Sequence, residues 1–365
     1  MGEGRAPPLS NNAQGERQSL TVMVTGGTGF IGFHTVLELI RAGHAVRLLV
    51  RSPEKLRRVF EPFGLGDLGF VEGDMTDAAS VDRALEGCDA VMHAAALVNS
   101  HAKESARVLE NNLRGTENVL GGAHRRGIGR MIQVSSTTAL FRRDARQIDE
   151  RSPLGTTHSG YGRSKIECDR YVRRLQEDGA PIYTTYPGTV IGPDDPGLSE
   201  AMLGLKIVLA SGLVVESTGG IQTVDVRDVA RAHVLLLERG GPPDRFLMGG
   251  QYLDWRAYGD LLERVTGHRF RRVYAPPVVF RVMGLAAELL ARVVPIETPL
   301  TDETSVYATG WAPTDDGHLH GSLGLRYRDL HETLYDAVFW LQGAGHVRAG
   351  YRLRPATPLE PERVQ

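Results

Sequence analysis

Thr25-Gly26-Gly27-Thr28-Gly29-Phe30-Ile31-Gly32 decides the fold of this chain. The glycines lie between an apolar, β-rich run at Thr21–Thr25 and a helical pattern at Ile31–Ala42. In such a strand–turn–helix unit Gly26 allows the tight turn, Gly29 lets backbone approach a pyrophosphate, and Gly32 lets helix pack close to strand. The free N–H groups and the positive dipole end of the helix then face phosphate oxygens. A glycine triplet alone is a weak signal, and a turn without a ligand is the competing reading. The strand before it and the helix after it make it a dinucleotide signature.

Outward from this unit, strand-like runs continue at Ala45–Val50, Asp89–His93, Met131–Val134 and Ile182–Tyr186. Helical patterns at Ala79–Glu86, Ala102–Arg125 and Lys165–Glu177 separate them. Strands alternating with helices give βαβ units and a parallel sheet covered on both faces. After about Pro193 the rhythm changes to helices at Ala201–Ser211, Arg227–Glu238, Trp255–Thr266, Val278–Val294 and Leu330–Leu341, with a strand at Gln222–Val226. The expected fold is therefore α/β, a Rossmann doubly wound parallel sheet with a smaller, mostly helical C-terminal substrate lobe. Residues 1–19 read as a disordered tail, 20–193 as the dinucleotide-binding domain, 194–345 as the substrate lobe and 346–365 as a second tail. Exchange of a core strand and helix between the two lobes is expected.

Composition removes several classes of function. The 365 residues carry 42 Lys+Arg against 44 Asp+Glu, a net charge of −2, so there is no basic surface for nucleic acid. Cys88 and Cys168 cannot build a disulfide framework, and no Cys/His cluster has metal-ligand spacing. A reduced, mostly buried pair in a cytoplasmic protein is the expectation. No window reaches the ~18 uninterrupted apolar residues of a membrane span. The most apolar helix, Val278–Val294, carries Arg281, Glu288 and Arg292 on one face. Its wide apolar surface suits packing in the core, with a lipid-monolayer contact as the second reading.

The end of the second strand meets the adenosine ribose, where an acid would bond a 2′-hydroxyl and a cation a 2′-phosphate. Here the chain reads Val50-Arg51-Ser52-Pro53, with no acid before Glu54. Arg51 can grip a phosphate with its planar fork, which favours NADP(H) over NAD(H). Arg57 and Arg58 read equally well as a solvated helix face.

Tyr161-Gly162-Arg163-Ser164-Lys165 sets a phenol and an ammonium one helical turn apart. A neighbouring cation lowers the pKa of a tyrosine, which can then exchange a proton with a hydroxyl/carbonyl pair. Surface i,i+4 pairs are common. This one gains weight from Ser135-Ser136-Thr137 at the end of the strand Met131–Val134, where doubly wound sheets put their chemistry.

Together these motifs resemble the extended short-chain dehydrogenase/reductase family, from about Leu20 to Val229. TGGTGFIG is similar to its cofactor loop, Gly73-Asp74-Met75 to its element at the adenine, and His93-Ala94-Ala95-Ala96 to the strand end beneath the cofactor. Asn112-Leu113-Arg114-Gly115-Thr116 resembles its NVxGT helix, and Pro187-Gly188-Thr189-Val190 the segment beside the nicotinamide. The stretch Val224–Val229 resembles the strand that opens the small lobe. The resemblance implies cofactor contacts from Gly26, Thr28, Gly29, Phe30, Ile31 and Gly32, and from Arg51, Ser52, Asp74 and Met75. It extends them to Ala94, Ala95, Ala96, Asn112, Pro187, Gly188 and Val190. Asp74 and Asn112 read equally as caps or structural hydrogen-bonders. By the same resemblance Ser136, with Thr137 as its rival, would polarise the substrate oxygen. Tyr161 would be the acid/base, and Lys165 would hold the nicotinamide ribose.

Sugar-nucleotide epimerases of this family usually carry an Asn before a YGP-like tripeptide and an Arg on the small-lobe strand. Thr189 and Ile221 stand there instead, which removes the charge-assisted bonds that a second diphosphate needs. The chain is more similar to the dihydroflavonol-reductase-like and 3β-hydroxysteroid-dehydrogenase-like branches, although Tyr186 replaces a frequent Arg before Pro187. The expectation is an NADP(H)-dependent carbonyl/alcohol oxidoreductase on a small, largely apolar substrate. The loop from Phe141 to Ser159 and the small lobe would line its pocket, and a homodimer stays open. The alternatives are an epimerase with a diphosphate site elsewhere, built for instance from Arg271 and Arg272, and a non-catalytic NADP-binding sensor.

Overall fold

Val22, Met23 and Val24 are wholly buried, as only a strand covered on both faces allows. They form β1 (Thr21–Thr25) of a computed structural model that describes residues 19–98, 105–157, 159–290, 301–348 and 350–356. From β1 the chain runs through α1 (Phe30–Arg41), β2 (Ala45–Val50), α2 (Pro53–Phe60), β3 (Gly69–Glu72), α3 (Ala78–Leu85) and β4 (Ala90–His93). Next come α4 (Ser105–Thr116), α5 (Gly122–Arg125), β5 (Met131–Val134), α6 (Gly160–Glu177) and β6 (Ile182–Pro187). The remainder begins with β7 (Thr189–Ile191), α7 (Glu200–Ser211), β8 (Leu213–Glu216), β9 (Gly220–Asp225), α8 (Val226–Arg239), β10 (Asp244–Met248) and β11 (Gln251–Asp254). It ends with α9 (Trp255–Thr266), β12 (Arg271–Tyr274), α10 (Pro277–Leu290), α11 (Asp302–Gly310), α12 (Gly317–Leu323) and α13 (Leu330–Gly343).

Seven strands form one parallel sheet in the order β10-β6-β5-β4-β1-β2-β3, which is the expected Rossmann architecture. Its topological switch point lies between β1 and β4, where Thr25 is in register with His93. The outermost strand β10 and helix α8, packed on α1, come from beyond Pro193, so the sheet is completed by the later part of the chain. One contiguous core joins Val24 and Leu48 of the sheet to Leu262 and Leu334 of the later helices. Two small sheets, β11-β9-β7 and β12-β8, stand outside the main one.

Several expectations change. Helix α6 begins at Gly160, five residues before the expected start, because the Ser159 hydroxyl caps it by accepting from Gly162 N. The helix expected over Ala102–Arg125 is described from Ser105 and carries a π turn at Glu117–Gly121. There a side chain on Gly121 would collide with the Tyr171 hydroxyl, at 2.4 Å. Within the tail expected over 346–365, Val347 is buried, Tyr351 stacks on Phe270 and Arg354 N donates to Val265 O, so the chain is packed through Arg354. Residues 1–18 and 357–365 lie outside the described residues.

The largest correction concerns α10. The apolar helix expected to pack in the core turns its side chains outward: Val278 is 74% exposed, Val282 59% and Leu289 58%. Among the described residues its narrow side meets α11 at Phe280, whose carbonyl accepts from Ser305 Oγ at 3.2 Å, and at Gly284, where a Cβ would lie 2.3 Å from that Oγ. Arg281 reaches across to Asp302 at 2.8 Å. Residues 291–294 of that expected helix are not described.

Two buried histidines tie layers together. His93 spans Thr25 Oγ1 (2.8 Å) and Thr116 Oγ1 (3.2 Å), and His233 of α8 spans Thr35 Oγ1 (3.2 Å) and Thr185 Oγ1 (3.0 Å). Burial lowers both imidazoles from their ordinary value of 6.5 to about 3. Below pH 6.5 the unfolded chain therefore binds protons that the folded one refuses, so stability is full above that pH and lost on acidification toward pH 3. Urea unfolding should show roughly 2–3 kcal/mol less stability at pH 5.5 than at pH 7.5 from these two groups. A pH-independent midpoint over that range would contradict their neutral burial.

Candidate active site

The glycine loop closes as the sequence demands. Gly26 sits at φ +72°, and a side chain there would meet Ala95 N at 2.6 Å and Ala94 C at 2.7 Å. Gly32 leaves no room either, since a Cβ would lie 2.2 Å from Gly26 O. Gly29 differs: a Cβ there would touch only Gly26 O at 3.4 Å, so its outer side is open. No side chain caps α1, and its first turn holds no acid, so its dipole end is free to meet an anion. These residues fit the pyrophosphate of a dinucleotide. Around them, Ala94 N donates to Thr25 O and Ala95 N to Thr25 Oγ1, both at 3.2 Å, which draws the segment after β4 against the loop. Thr28 and Ile31 are half-buried there, and Phe30 is buried.

Arg51 leaves the end of β2 with 71% of its side chain exposed, and its guanidinium comes within 3.9 Å of Asp74. Asp74 Oδ1 accepts from Thr76 N and Thr76 Oγ1, each at 2.8 Å, leaving Oδ2 toward Arg51. Ser52 Oγ caps α2 by accepting from Lys55 N. Met75 packs over Gly115 of α4.

Asn112 has a structural use for all its amide hydrogens. Its Oδ1 accepts from Leu97 N (2.7 Å), while its Nδ2 donates to Leu97 O (3.1 Å) and to Ser164 Oγ (2.9 Å). It straps the chain after β4 to α6, so it orients the site and has no donor left for a ligand. Gly188 N donates to Met248 O at 3.0 Å, Pro187 is buried, and Val190 lies in the main core. The departure at Tyr186 is a core substitution: its ring is fully buried, and its hydroxyl meets Arg173, which also pairs with Asp169 of α6 at 3.0 Å.

At the C-terminal end of β5 the expected trio comes together. Lys165 is buried, donates from Nζ to Val134 O at 3.0 Å, and sits 5.7 Å from the centre of the Tyr161 ring. Burial lowers its pKa. Ser136 Oγ accepts from Thr138 N at 3.2 Å and is near enough to hydrogen-bond the Tyr161 phenol. Thr137 is buried and donates to Pro187 O at 3.1 Å, which turns it away from the phenol.

The electrostatics of Tyr161 run opposite to the expectation from Lys165. Burial first, then the charge of Glu200, raise the phenol's pKa; the Ser136 hydrogen bond opposes this, and Glu303 adds to it. The group is therefore a neutral proton donor across the neutral pH range. Burial raises Glu200 as well, with Glu303 second. Sequence reasoning placed the Phe141–Ser159 loop and the small lobe at the pocket but named neither acid, nor Tyr307 and Trp311 behind them. Glu303 accepts from Thr157 Oγ1 (3.3 Å) and from the Tyr307 hydroxyl. Tyr307 meets Phe141 edge-on at 4.7 Å, and Trp311 stacks on Phe141 at 5.3 Å. The i,i+4 pair Glu303/Tyr307, behind the Thr301/Thr304 capping box, was the available signal for this helix.

A Gly-loop strand–helix unit with Ser, Tyr and Lys at the end of the next-but-one strand of a doubly wound sheet defines a nicotinamide-dependent oxidoreductase of the extended short-chain dehydrogenase/reductase class. The family model described as NAD dependent epimerase/dehydratase matches residues 22–249, and the chain belongs to that family. It is 27% identical over 343 residues to a putative dihydroflavonol 4-reductase of Synechocystis sp., covering 89% of this chain and 95% of that one. It is 26% identical to sterol demethylase protein B of Methylococcus capsulatus, covering 90% and 100% of the two chains. The crystal structure of gox2253 superposes with a TM-score of 0.74 at 27% identity, covering 90% of this chain and 99% of that one. No helix among the described residues is long and apolar enough to cross a membrane. No metal-ligating cluster occurs among them.

Proposed function

We propose that the chain is an NADP(H)-dependent reductase that interconverts a carbonyl and a secondary alcohol on a small, largely apolar substrate of aromatic, flavonoid-like or steroid-like character. One observation supports this reading: at the end of β5 the buried Lys165 lies 5.7 Å from the Tyr161 ring and is anchored on Val134 O, two residues before Ser136. Lys165 would hold the nicotinamide ribose of a bound NADPH, whose chemistry would be hydride supply, while Ser136 would orient the substrate oxygen and Tyr161 would give it the proton. Residues 20–193 hold the cofactor and 194–345 cover the substrate, in a cytoplasmic, reduced setting.

The acids near Tyr161 argue against a nucleotide sugar. A diphosphate beside Glu200 and Glu303 would need cations, and burying its charge unpaired costs several kcal/mol or more. Ile221 is half-buried in β9, opposite Leu253, and offers it nothing. Of the pair that could build an epimerase's second site, Arg272 is already held by Asp260 (2.7 Å), Glu263 (3.2 Å) and Glu216 (3.4 Å), which leaves Arg271 alone.

The test is NADPH oxidation across aromatic ketones, flavanonols, aldehydes and sterones, with UDP, GDP and dTDP as competitors. A carbonyl should be reduced at a rate the nucleotides leave unchanged. Arg51→Ala should weaken NADPH about tenfold to a hundredfold, the span of ~1.5–3 kcal/mol for hydrogen bonds to a charged group, and leave NADH nearly untouched. Nucleotide inhibition competitive with the carbonyl would favour the epimerase. Equal loss of both cofactors would remove Arg51 from the 2′-phosphate.

A further inference from the structure

We propose that the outward face of α10 docks on an anionic lipid surface. At 100° per residue, Leu285, Val278, Leu289 and Val282 form one row, and Val279, Leu290 and Met283 the next, so apolar side chains cover about 160° of the helix. All seven are exposed, between 39% and 74%. Val273 (41%) and Tyr274 (60%), at the end of β12 shortly before the helix, are exposed as well. Soluble monomers rarely leave an apolar patch larger than a few hundred Å² on their surface, and those that do use it for contact.

Charge selects the occupant. Of the four arginines between Gly267 and Leu290, Arg272 is held by Glu216, Asp260 and Glu263 and Arg281 by Asp302, which leaves Arg269 and Arg271. Arg269 and Arg271 are exposed and have no acidic partner among the described residues; Arg271 lies on the same side of β12 as Val273, and Arg269 just precedes the strand. Unpaired arginines a few residues ahead of an apolar helix face make the pattern of a helix lying in the headgroup layer. A second copy brought face to face would meet this cationic border with its own. At 14 residues α10 is too short to span a bilayer.

The position fits a lipid-side entrance as well. Gly284 lets α10 lie directly on α11, whose other side presents Glu303 and Tyr307 toward Tyr161. The patch is thus one helix away from the chemistry, although docking itself does not depend on the reductase reading.

Flotation of the full chain with phosphatidylcholine vesicles, with and without a quarter phosphatidylglycerol, tests the proposal without any turnover. The chain should float with the anionic vesicles and release in high salt. Val282→Glu with Leu289→Glu should reduce binding at least about tenfold. Arg269→Gln with Arg271→Gln should cost about fivefold per arginine on anionic vesicles only, and this pair leaves the apolar face intact. All four side chains are exposed, and circular dichroism reports whether each variant is folded. A chain that stays unbound at millimolar lipid, or a folded glutamate variant that floats like the original, would overturn the proposal. So would a dimer in solution that the glutamate pair splits into monomers, because a second copy would then cover α10.

Discussion

Tyr161→Phe is expected to lower turnover about 10²–10⁴-fold, the usual worth of a positioned acid/base. The ring keeps its place: Lys165 stays 5.7 Å from its centre and remains anchored on Val134 O. Folding and cofactor affinity should therefore persist while the proton donor is gone. Because burial and Glu200 hold the native phenol protonated, the loss should appear in reduction at neutral pH and should not be rescued by lower pH. Cofactor titration and carbonyl reduction measured on the same preparation separate the two effects. A variant that turns over a true substrate at a near-normal rate would remove Tyr161 from the chemistry and favour a cofactor-binding sensor.

Gly32→Ala is expected to damage both stability and cofactor binding with a single methyl group. That methyl would lie 2.2 Å from Gly26 O and 2.7 Å from Gly26 C, atoms of backbone that cannot rotate away. The loop itself must move, at a cost of about 1–3 kcal/mol typical of overpacking, and Gly26 is pinned on its other side by Ala94 and Ala95. Thermal unfolding should shift down by several degrees, and NADPH should bind at least about tenfold more weakly because the phosphate cradle is displaced. Gly29→Ala serves as the contrast. It has ordinary space on the protein side, so it should leave the melting temperature nearly unchanged while obstructing the open side, where the pyrophosphate approaches. If the two variants lost stability equally, the different roles assigned to these glycines would be wrong.

Much of this site could be read from the sequence because its parts are local. Gly26 to Gly32 occupy consecutive turns of one strand–helix unit, and Tyr161 and Lys165 share one helix face. Burial of Val22–Val24 writes itself as an unbroken apolar run, and that of Met131–Val134 as a run broken only by Gln133. What escaped was set by distant partners. β10 reads Asp-Arg-Phe-Leu-Met, and its polar start pairs with Tyr183 and Thr184 at the sheet edge, so no apolar run announces it. β3 is nearly all exposed or half-buried. Glu303 and Tyr307 reach Tyr161 only because α11 folds back across more than a hundred residues. Lys165 suggested a lowered phenol pKa, and burial first, with Glu200 and then Glu303 adding to it, reversed the sign. For α10, composition could show that the helix was apolar but not whether anything would cover it.

The place of β10 has a consequence for the order in which the molecule can be made. Strand β6, with every residue buried in the finished sheet, leaves the ribosome more than fifty residues ahead of the strand that covers its outer edge. Until Met248 has emerged, Ile182–Pro187 offers a bare row of N–H and C=O groups on a β-branched, aromatic segment, the kind of edge along which chains aggregate. The nucleotide-binding half is thus not a self-sufficient piece that finishes early. It must wait for α8 and β10, and nascent chains of this protein are most exposed to chaperones, or to one another, during that interval.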